Sequence, residues 1–118
     1  MKILYDNERL KKIFMDSLNV NDKNKKMIKE YGMELSNSIS KRMLQIQAVV
    51  TLDVYFKMGL GKPHFLERPY KHCFAVSVSK NFRLILRPVY PSDYDFIKPD
   101  LSKIKEVTIM EVKDYHGK

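Results

Sequence analysis

The chain has 118 residues, a length that fits one folded domain over residues 1–118, because chains this short rarely divide into two cores. Hydrophobic residues make up 44% of it, with seven Tyr and six Phe, which excludes a protein that is disordered throughout. Lys and Arg number 22 against 14 Asp and Glu, and the formal net charge of +8 favours a polyanionic partner: RNA, DNA, an anionic membrane surface or an acidic protein.

The N-terminal segment predicts a short extended element at residues 3–5. Residues 1–6 lack the basic start, the apolar stretch and the small-residue cleavage site of a secretory signal. The longest apolar stretches, at 48–50 and 84–86, are far shorter than the ~20 residues that cross a bilayer. We therefore expect a cytoplasmic protein without a membrane span.

Two helices are predicted next, because apolar residues recur at helical spacing. The residues that carry them are Leu10, Ile13, Phe14 and Leu18, then Met27, Ile28 and Tyr31. The polar stretch 19–24 separates the two helices, and Asp22 or Asn24 is the expected N-cap of the second. Gly32 is expected to end that second helix at a turn.

A third helix has the clearest pattern in the chain, because its apolar residues step by four, four, three and four positions and share one stripe. These residues are Leu35, Ile39, Met43, Ile46 and Val50. The helical half then ends at Gly59, Gly61 and Pro63, since glycine and proline disfavour a helix interior.

The remainder of the chain predicts strands. Apolar residues alternate at Phe74, Val76 and Val78 and again at Phe82, Leu84 and Leu86. Residues 79–81 are the right length for a hairpin between them, 88–102 form a loop, and 104–112 form a last, β-branched strand. Helices followed by antiparallel strands indicate an α+β fold, with the third helix packed on the apolar sheet face.

Metal and nucleotide chemistry find little support in the sequence. His64, His72 and His116 lack metal-ligand spacing, and a single cysteine, Cys73, makes neither a disulfide nor a structural zinc site. Cys73 opens an apolar run and is expected to be a small buried hydrophobe. The glycines near residue 60 lack the other elements of a nucleotide signature. We expect no cofactor.

The strand half concentrates groups that bind phosphate and move protons. Arg83 and Arg87 share one strand face by parity, opposite to the apolar face. The other members of the set are His64, Arg68, Lys71 and His72 before the hairpin, and Lys113, Asp114, Tyr115 and His116 after the last strand. Guanidinium groups suit a phosphodiester, and imidazole or phenol suits proton transfer. The structural alternative is a solvated basic sheet face with a frayed C-terminal tail.

Taken in order, these residues resemble the plasmid-maintenance killer proteins of the RelE/HigB superfamily. There, a His-x-Leu leads through a Lys to a strand and then to Asn-aromatic-Arg-Leu, and the chain closes with Asp-Tyr-His. The matching residues are His64, Leu66, Lys71, Phe74, Val76, Val78, Asn81, Phe82, Arg83, Leu84, Asp114, Tyr115 and His116. Lys41 and Arg42 are similar to the basic residues of that family's second helix.

The chain departs from the family pattern in three places. Glu67-Arg68 stands where the family often has Lys-Gly, and His72 stands where a Gly commonly follows the Lys. The connection 88–102 is longer than in the shortest members. We expect the turn before the first hairpin strand and the access to the site to differ accordingly.

The resemblance implies a RelE-like fold, with N-terminal helices on a twisted antiparallel sheet. It implies the toxin of a type II toxin–antitoxin system, which cleaves messenger RNA on the ribosome without a metal ion. The implied partners are a HigA-like helix-turn-helix antitoxin in a hetero-oligomer, the messenger, and the backbone of 16S ribosomal RNA.

The resemblance also implies roles for single residues. Arg83 would stabilise charge on the phosphate, and His116 and His64 would transfer protons. Tyr115 would stack on a base or assist that transfer, and Asp114 would orient His116. The residues expected to hold the RNA backbone are Lys41, Arg42, Lys71 and Arg87.

Two other classes of function remain open. One is a ParE-like gyrase inhibitor of the same fold without catalytic residues, against which the terminal Asp-Tyr-His argues. The other is a basic nucleic-acid-binding module without catalysis, for which the sequence has neither a recognition helix nor an RNA-stacking motif.

Overall fold

A computed structural model describes residues 1–15 and 25–115. The elements in chain order are β1 (Lys2–Tyr5), α1 (Glu8–Met15), α2 (Lys25–Tyr31), α3 (Met33–Gln47), α4 (Leu52–Met58), β2 (His64–Phe65), β3 (Phe74–Ser77), β4 (Phe82–Pro88), a short 3₁₀ helix (Leu101–Lys103) and β5 (Glu106–Asp114). Leu18, the stretch 19–24 with its cap candidates, and His116 lie outside the described residues. Within the described ranges, no helix has the length and apolar character needed to span a bilayer.

The strands form one sheet in the order β1-β5-β4-β3-β2. The neighbours β2 and β3, β3 and β4, and β4 and β5 are antiparallel, whereas β1 runs parallel to β5. The prediction of an α+β fold is therefore confirmed, but the prediction of a purely antiparallel sheet was wrong. The reason is topological: the helices carry the chain back across the sheet between β1 and the later strands, and a crossover of this kind allows parallel pairing.

The predicted stripe of α3 lies in the main core. Ile39, Met43 and Ile46 are fully buried, in one cluster with the apolar side chains of β3 and β4. The placement of Val50 was wrong, since it is 74% exposed. The helix ends at Gln47, so helical spacing no longer applies, and Val49 is the residue that turns into the core.

Helix α4 was not predicted as a separate helix, because no apolar periodicity was assigned between the stripe that ends at Val50 and the glycine at position 59. Leu52 and Tyr55 bury its inner face, and Gly59 ends it in the left-handed conformation with φ 69°. The Leu52 N–H donates to the carbonyl of Ile104 at 3.0 Å. That contact holds Ile104 under α4, so β5 starts at Glu106. The strand extends to Asp114, and the predicted bounds of 104–112 were therefore wrong at both ends.

Candidate nucleic-acid interface

The face of the sheet opposite the main core carries charged side chains; we call it the Arg83 face. Across the sheet, Ser77 lies opposite Arg83, and Arg83 lies opposite Lys113. The next row contains Ala75, Ile85 and Glu111. Arg87 follows on β4 with the same parity. The prediction that Arg83 points away from the core is therefore confirmed.

The centre of the Arg83 face is closed by a second, small core. Cys73, Ala75 and Ile85 are buried there, and Leu66, Tyr70 and Met110 pack against them. The connection between β2 and β3 thus folds over the middle of the sheet. Burial raises the pKa of the Cys73 thiol, although nearby Arg87 opposes the shift. Cys73 is a buried free cysteine, as predicted.

Arg83 and Tyr115 meet at the end of the face nearest the hairpin turn. The guanidinium carbon lies 5.6 Å from the centroid of the Tyr115 ring. Its Nη1 donates to the carbonyls of Ser79 and Phe82, both at 3.1 Å. The Tyr115 N–H donates to the Asn81 carbonyl at 2.7 Å. The hairpin therefore fixes both the guanidinium and the backbone of the tyrosine that stands next to it.

Tyr70, Glu111 and Lys113 form a second group on this face, of which only Lys113 was predicted from the sequence. The Tyr70 hydroxyl donates to Glu111 Oε2 at 2.7 Å, and Lys113 Nζ lies 5.7 Å from the Tyr70 ring centroid. The bond to Glu111, together with desolvation, raises the pKa of Tyr70 to about 12. Strand alternation could have indicated this group, because Glu111 and Lys113 are two positions apart on the last strand and therefore share a face.

Arg87, Lys71 and His72 meet at the other end of the face. Arg87 lies over the Tyr90 ring with 5.7 Å between its guanidinium carbon and the ring centroid, and its Nη1 donates to the Lys71 carbonyl at 3.5 Å. The Tyr90 hydroxyl donates to the His72 carbonyl at 2.8 Å. Burial, the larger cause, and nearby Tyr94 raise the pKa of Tyr90 to about 12. The structure thus brings the two predicted RNA-binding residues Lys71 and Arg87 together.

No protein-family model, curated protein or solved structure matches this chain.

His64 and Asp114 do not lie beside Arg83. His64 is exposed on β2, opposite Ala75, and its Nδ1 is 3.1 Å from the Lys62 carbonyl oxygen. Two strand spacings separate β2 from β4, or roughly 10 Å. Asp114 lies opposite Phe82, so strand alternation assigns it to the helix-covered side at the end of β5.

The two predicted RNA-binding residues of α3 are in different environments. Lys41 is exposed. Arg42 is half-buried between α3 and the sheet, where its Nε donates to the Ser77 carbonyl at 2.8 Å and its Nη1 donates to Gln45 Oε1 at 2.8 Å. These bonds give Arg42 a structural use at the helix–sheet junction.

The Arg83 face combines cations with aromatic rings in three pairs along its length. They are Arg83 with Tyr115, Lys113 with Tyr70, and Arg87 with Tyr90. Cations bind phosphates, and phenol rings offer faces on which unpaired bases stack. Among residues 1–15 and 25–115, no group of three or more His, Cys, Asp or Glu side chains is arranged to hold a metal ion. The arrangement is chemically suited to a flexible, single-stranded nucleic acid.

Proposed function

We propose that this chain is the toxin of a type II toxin–antitoxin system of the RelE/HigB kind, an endoribonuclease that cleaves messenger RNA on the ribosome without a metal ion. The observation that carries the proposal is the pair of Arg83 and Tyr115 on the face opposite the main core. Both residues belong to the ordered motif that resembles this family. They are held together although 32 positions separate them in the chain.

The reaction requires one phosphate and two proton transfers. The 2′-oxygen of a ribose loses its proton and attacks the adjacent phosphorus, and the bond to the 5′-oxygen breaks as that oxygen takes up a proton. Arg83 stabilises the charge that develops on the phosphate oxygens. His116, which follows Tyr115 directly in the chain, is the first candidate for the proton transfers. His64 is the second candidate, although it lies two strands away from Arg83 on β2.

The hydrogen bonds of Arg83 bear on this role. The bonds to the hairpin carbonyls use Nη1, and they fix the plane of the guanidinium before RNA arrives. A fixed donor loses little freedom when it binds a phosphate. Lys71, Arg87 and Lys113 would hold the RNA backbone farther along the face, and the net charge of +8 would steer it there.

The rival function is a ParE-like inhibitor that binds gyrase and has no catalytic residues. The observation that favours it is the same set of hydrogen bonds from Arg83 to the hairpin. An arginine whose Nη1 donates to backbone carbonyls can serve the fold alone. For a toxin of the RelE/HigB kind, we expect a HigA-like helix-turn-helix antitoxin as the neutralising partner.

Cleavage on purified ribosomes, with mapping of new RNA ends, separates the two functions. We expect wild-type protein to cut the messenger and Arg83→Ala to cut at least 100-fold more slowly, which is the order of magnitude for losing a charge-stabilising donor. Arg9→Ala is the matched control, because it removes the same charge from an exposed position on α1, at the cost of a surface ion pair with Glu30. Inhibition of gyrase supercoiling without RNA cleavage would replace this proposal with the rival.

A further inference from the structure

At the Arg87 end of the Arg83 face, the segment after β4 builds a cavity of about 460 Å³, which we call the aromatic pocket. Its lining residues are Phe65, Leu66, Lys71, His72, Tyr90, Tyr94, Phe96, Pro99 and Leu101. A volume of this size lies within the range of ligand sites. Leu66 and Lys71 are its only lining residues from the motif, and most of its rings come from the long connection after β4.

The rings of the pocket are packed against one another. His72 and Phe96 have ring centroids 4.2 Å apart, and Phe96 lies 4.8 Å from Tyr90 and 5.0 Å from Tyr94. Phe96 is nevertheless 48% exposed, so a substantial part of its ring remains open to a ligand. A set of packed, tilted rings with an open face offers a surface on which another flat ring can stack.

The backbone at His72 is held in a conformation that few side chains adopt. Its φ is 70°, in the left-handed region, and its carbonyl accepts the hydrogen bond from the Tyr90 hydroxyl. This bond ties His72, two positions before β3, to Tyr90, two positions after β4. The imidazole is thereby kept within the ring cluster.

The charges at the pocket are positive. Lys71 lines it, and the Arg87 guanidinium covers the Tyr90 ring at 5.7 Å. Two of the acidic groups of the same loop are used in turns: Asp95 accepts from the N–H groups of Ile97 and Lys98, and Asp100 accepts from Ser102. A ligand with a flat ring and an attached phosphate satisfies both the rings and the two cations.

We infer that the aromatic pocket is a subsite for one unpaired RNA base, stacked on Phe96 and His72, with its phosphate held by Lys71 and Arg87. The inference rests on the proposed function for its choice of ligand. Arg87 is four residues from Arg83 on β4, or about 13 Å along the strand. The base in the pocket is therefore not the one at the scissile phosphate, and the RNA crosses the Arg83 face extended and single-stranded.

Binding of two probes tests this inference: a short single-stranded RNA containing 2-aminopurine, and an abasic ribose-phosphate oligomer of the same length and charge. We expect wild-type protein to bind the base-bearing RNA roughly 5- to 150-fold more tightly, as one base–aromatic stack provides, and to quench 2-aminopurine fluorescence. Phe96→Leu keeps an apolar side chain but removes the ring, and it should lose most of that preference. His72→Asn should act likewise, because asparagine tolerates the left-handed backbone.

Ile97→Ala is the matched control, because Ile97 is 90% exposed beside Phe96 and does not line the pocket. It should leave both affinities unchanged. Equal binding of the two probes by wild type, as when a peptide is the true occupant, would overturn the inference, and so would a preference that survives in both ring variants. If base-dependent binding is lost in those variants but wild type leaves messenger on ribosomes uncut, the pocket stands and the proposed function fails.

Discussion

The Tyr70 hydroxyl donates a 2.7 Å hydrogen bond to Glu111 Oε2, joining residues that are 41 positions apart. Tyr70 belongs to the connection between β2 and β3, whereas Glu111 lies on β5. The bond therefore reaches across β3 and β4 and fastens the connection over the second core. It also leaves the Lys113 ammonium beside the Tyr70 ring, on the Arg83 face.

Tyr70→Phe should lower stability and change the alkaline titration. The variant keeps the ring and removes the hydrogen bond, so the free energy of unfolding should fall by about 1 kcal/mol. The pKa of Tyr70 is raised to about 12, so folding favours the neutral phenol. That contribution is complete below the ordinary pKa near 10 and is lost as pH rises through about 12.

The measurement is urea unfolding at neutral pH and above the ordinary tyrosine pKa, with tyrosinate absorbance followed in the folded protein. Wild type and Tyr70→Phe should converge in stability at the alkaline end. Tyr94→Phe is the control for losing a phenol elsewhere, because its hydroxyl accepts from the Asp100 N–H and does not donate to a carboxylate. A constant difference between wild type and Tyr70→Phe at all pH values would show that Glu111 does not govern the titration.

Met43→Ala should cost roughly 2–5 kcal/mol, because it opens a cavity in the main core. Met43 is fully buried on the inner face of α3. The neighbouring Leu44 is 55% exposed, and Leu44→Ala should change the free energy of unfolding by no more than about 0.5 kcal/mol. Melting temperatures of the two variants check the difference, and equal values would mean that the stripe of α3 is not the packed face.

Gly61→Ala should destabilise the protein more than Gly59→Ala. Both glycines have positive φ, so alanine costs about 1–2 kcal/mol of backbone strain at each. At Gly59 a Cβ would meet open space, whereas at Gly61 it would lie 2.8 Å from Arg42 Nε and 3.2 Å from the Ser77 carbonyl oxygen. The excess at Gly61 therefore reports the crowding of the new methyl group against Arg42 and the Ser77 carbonyl.

A double-mutant cycle with Arg42→Ala isolates that excess. Without the guanidinium, Gly61→Ala should cost less than it does in the wild-type background. If the stability losses of the two substitutions were strictly additive, Arg42 would not contact Gly61 in solution, and its side chain would be free to bind RNA.

Local pattern predicted α3 and the hairpin because both depend on periodicity within one segment. The helical spacing placed Ile39, Met43 and Ile46 correctly and failed at Val50, where the helix had already ended. Strand parity placed Arg83. Pairings across the chain were out of reach: the parallel alignment of β1 with β5 and the bond between Tyr70 and Glu111 are set by the closed sheet and leave no trace in local spacing.

Truncations at the C-terminus should separate an effect on folding from an effect on cleavage. The boundary lies after Tyr115, not after Val112 as the sequence indicated. A tail that frays after Val112 would make residues 114–118 dispensable for the fold. In the structure β5 extends to Asp114, and Tyr115 adds a backbone hydrogen bond to Asn81 and a ring beside Arg83. Deletion of 114–118 should therefore lower stability by about 1–3 kcal/mol, the combined order of a hydrogen bond, a cation–aromatic contact and lost strand pairing.

Deletion of 116–118 keeps those contacts and should leave the melting temperature nearly unchanged while it abolishes cleavage on ribosomes. The reason is that it removes His116, whose imidazole is the candidate for protonating the leaving 5′-oxygen, a transfer typically worth about 10²–10⁴-fold in rate. His116→Gln keeps a hydrogen-bonding side chain but cannot titrate, so it should match the short deletion in cleavage and wild type in stability. If His116→Gln cuts messenger as fast as wild type at equal folded concentration, the proton transfer belongs to Tyr115, which lies beside Arg83, or to His64 on β2. Cleavage by Tyr115→Phe and by His64→Gln then decides between these two residues.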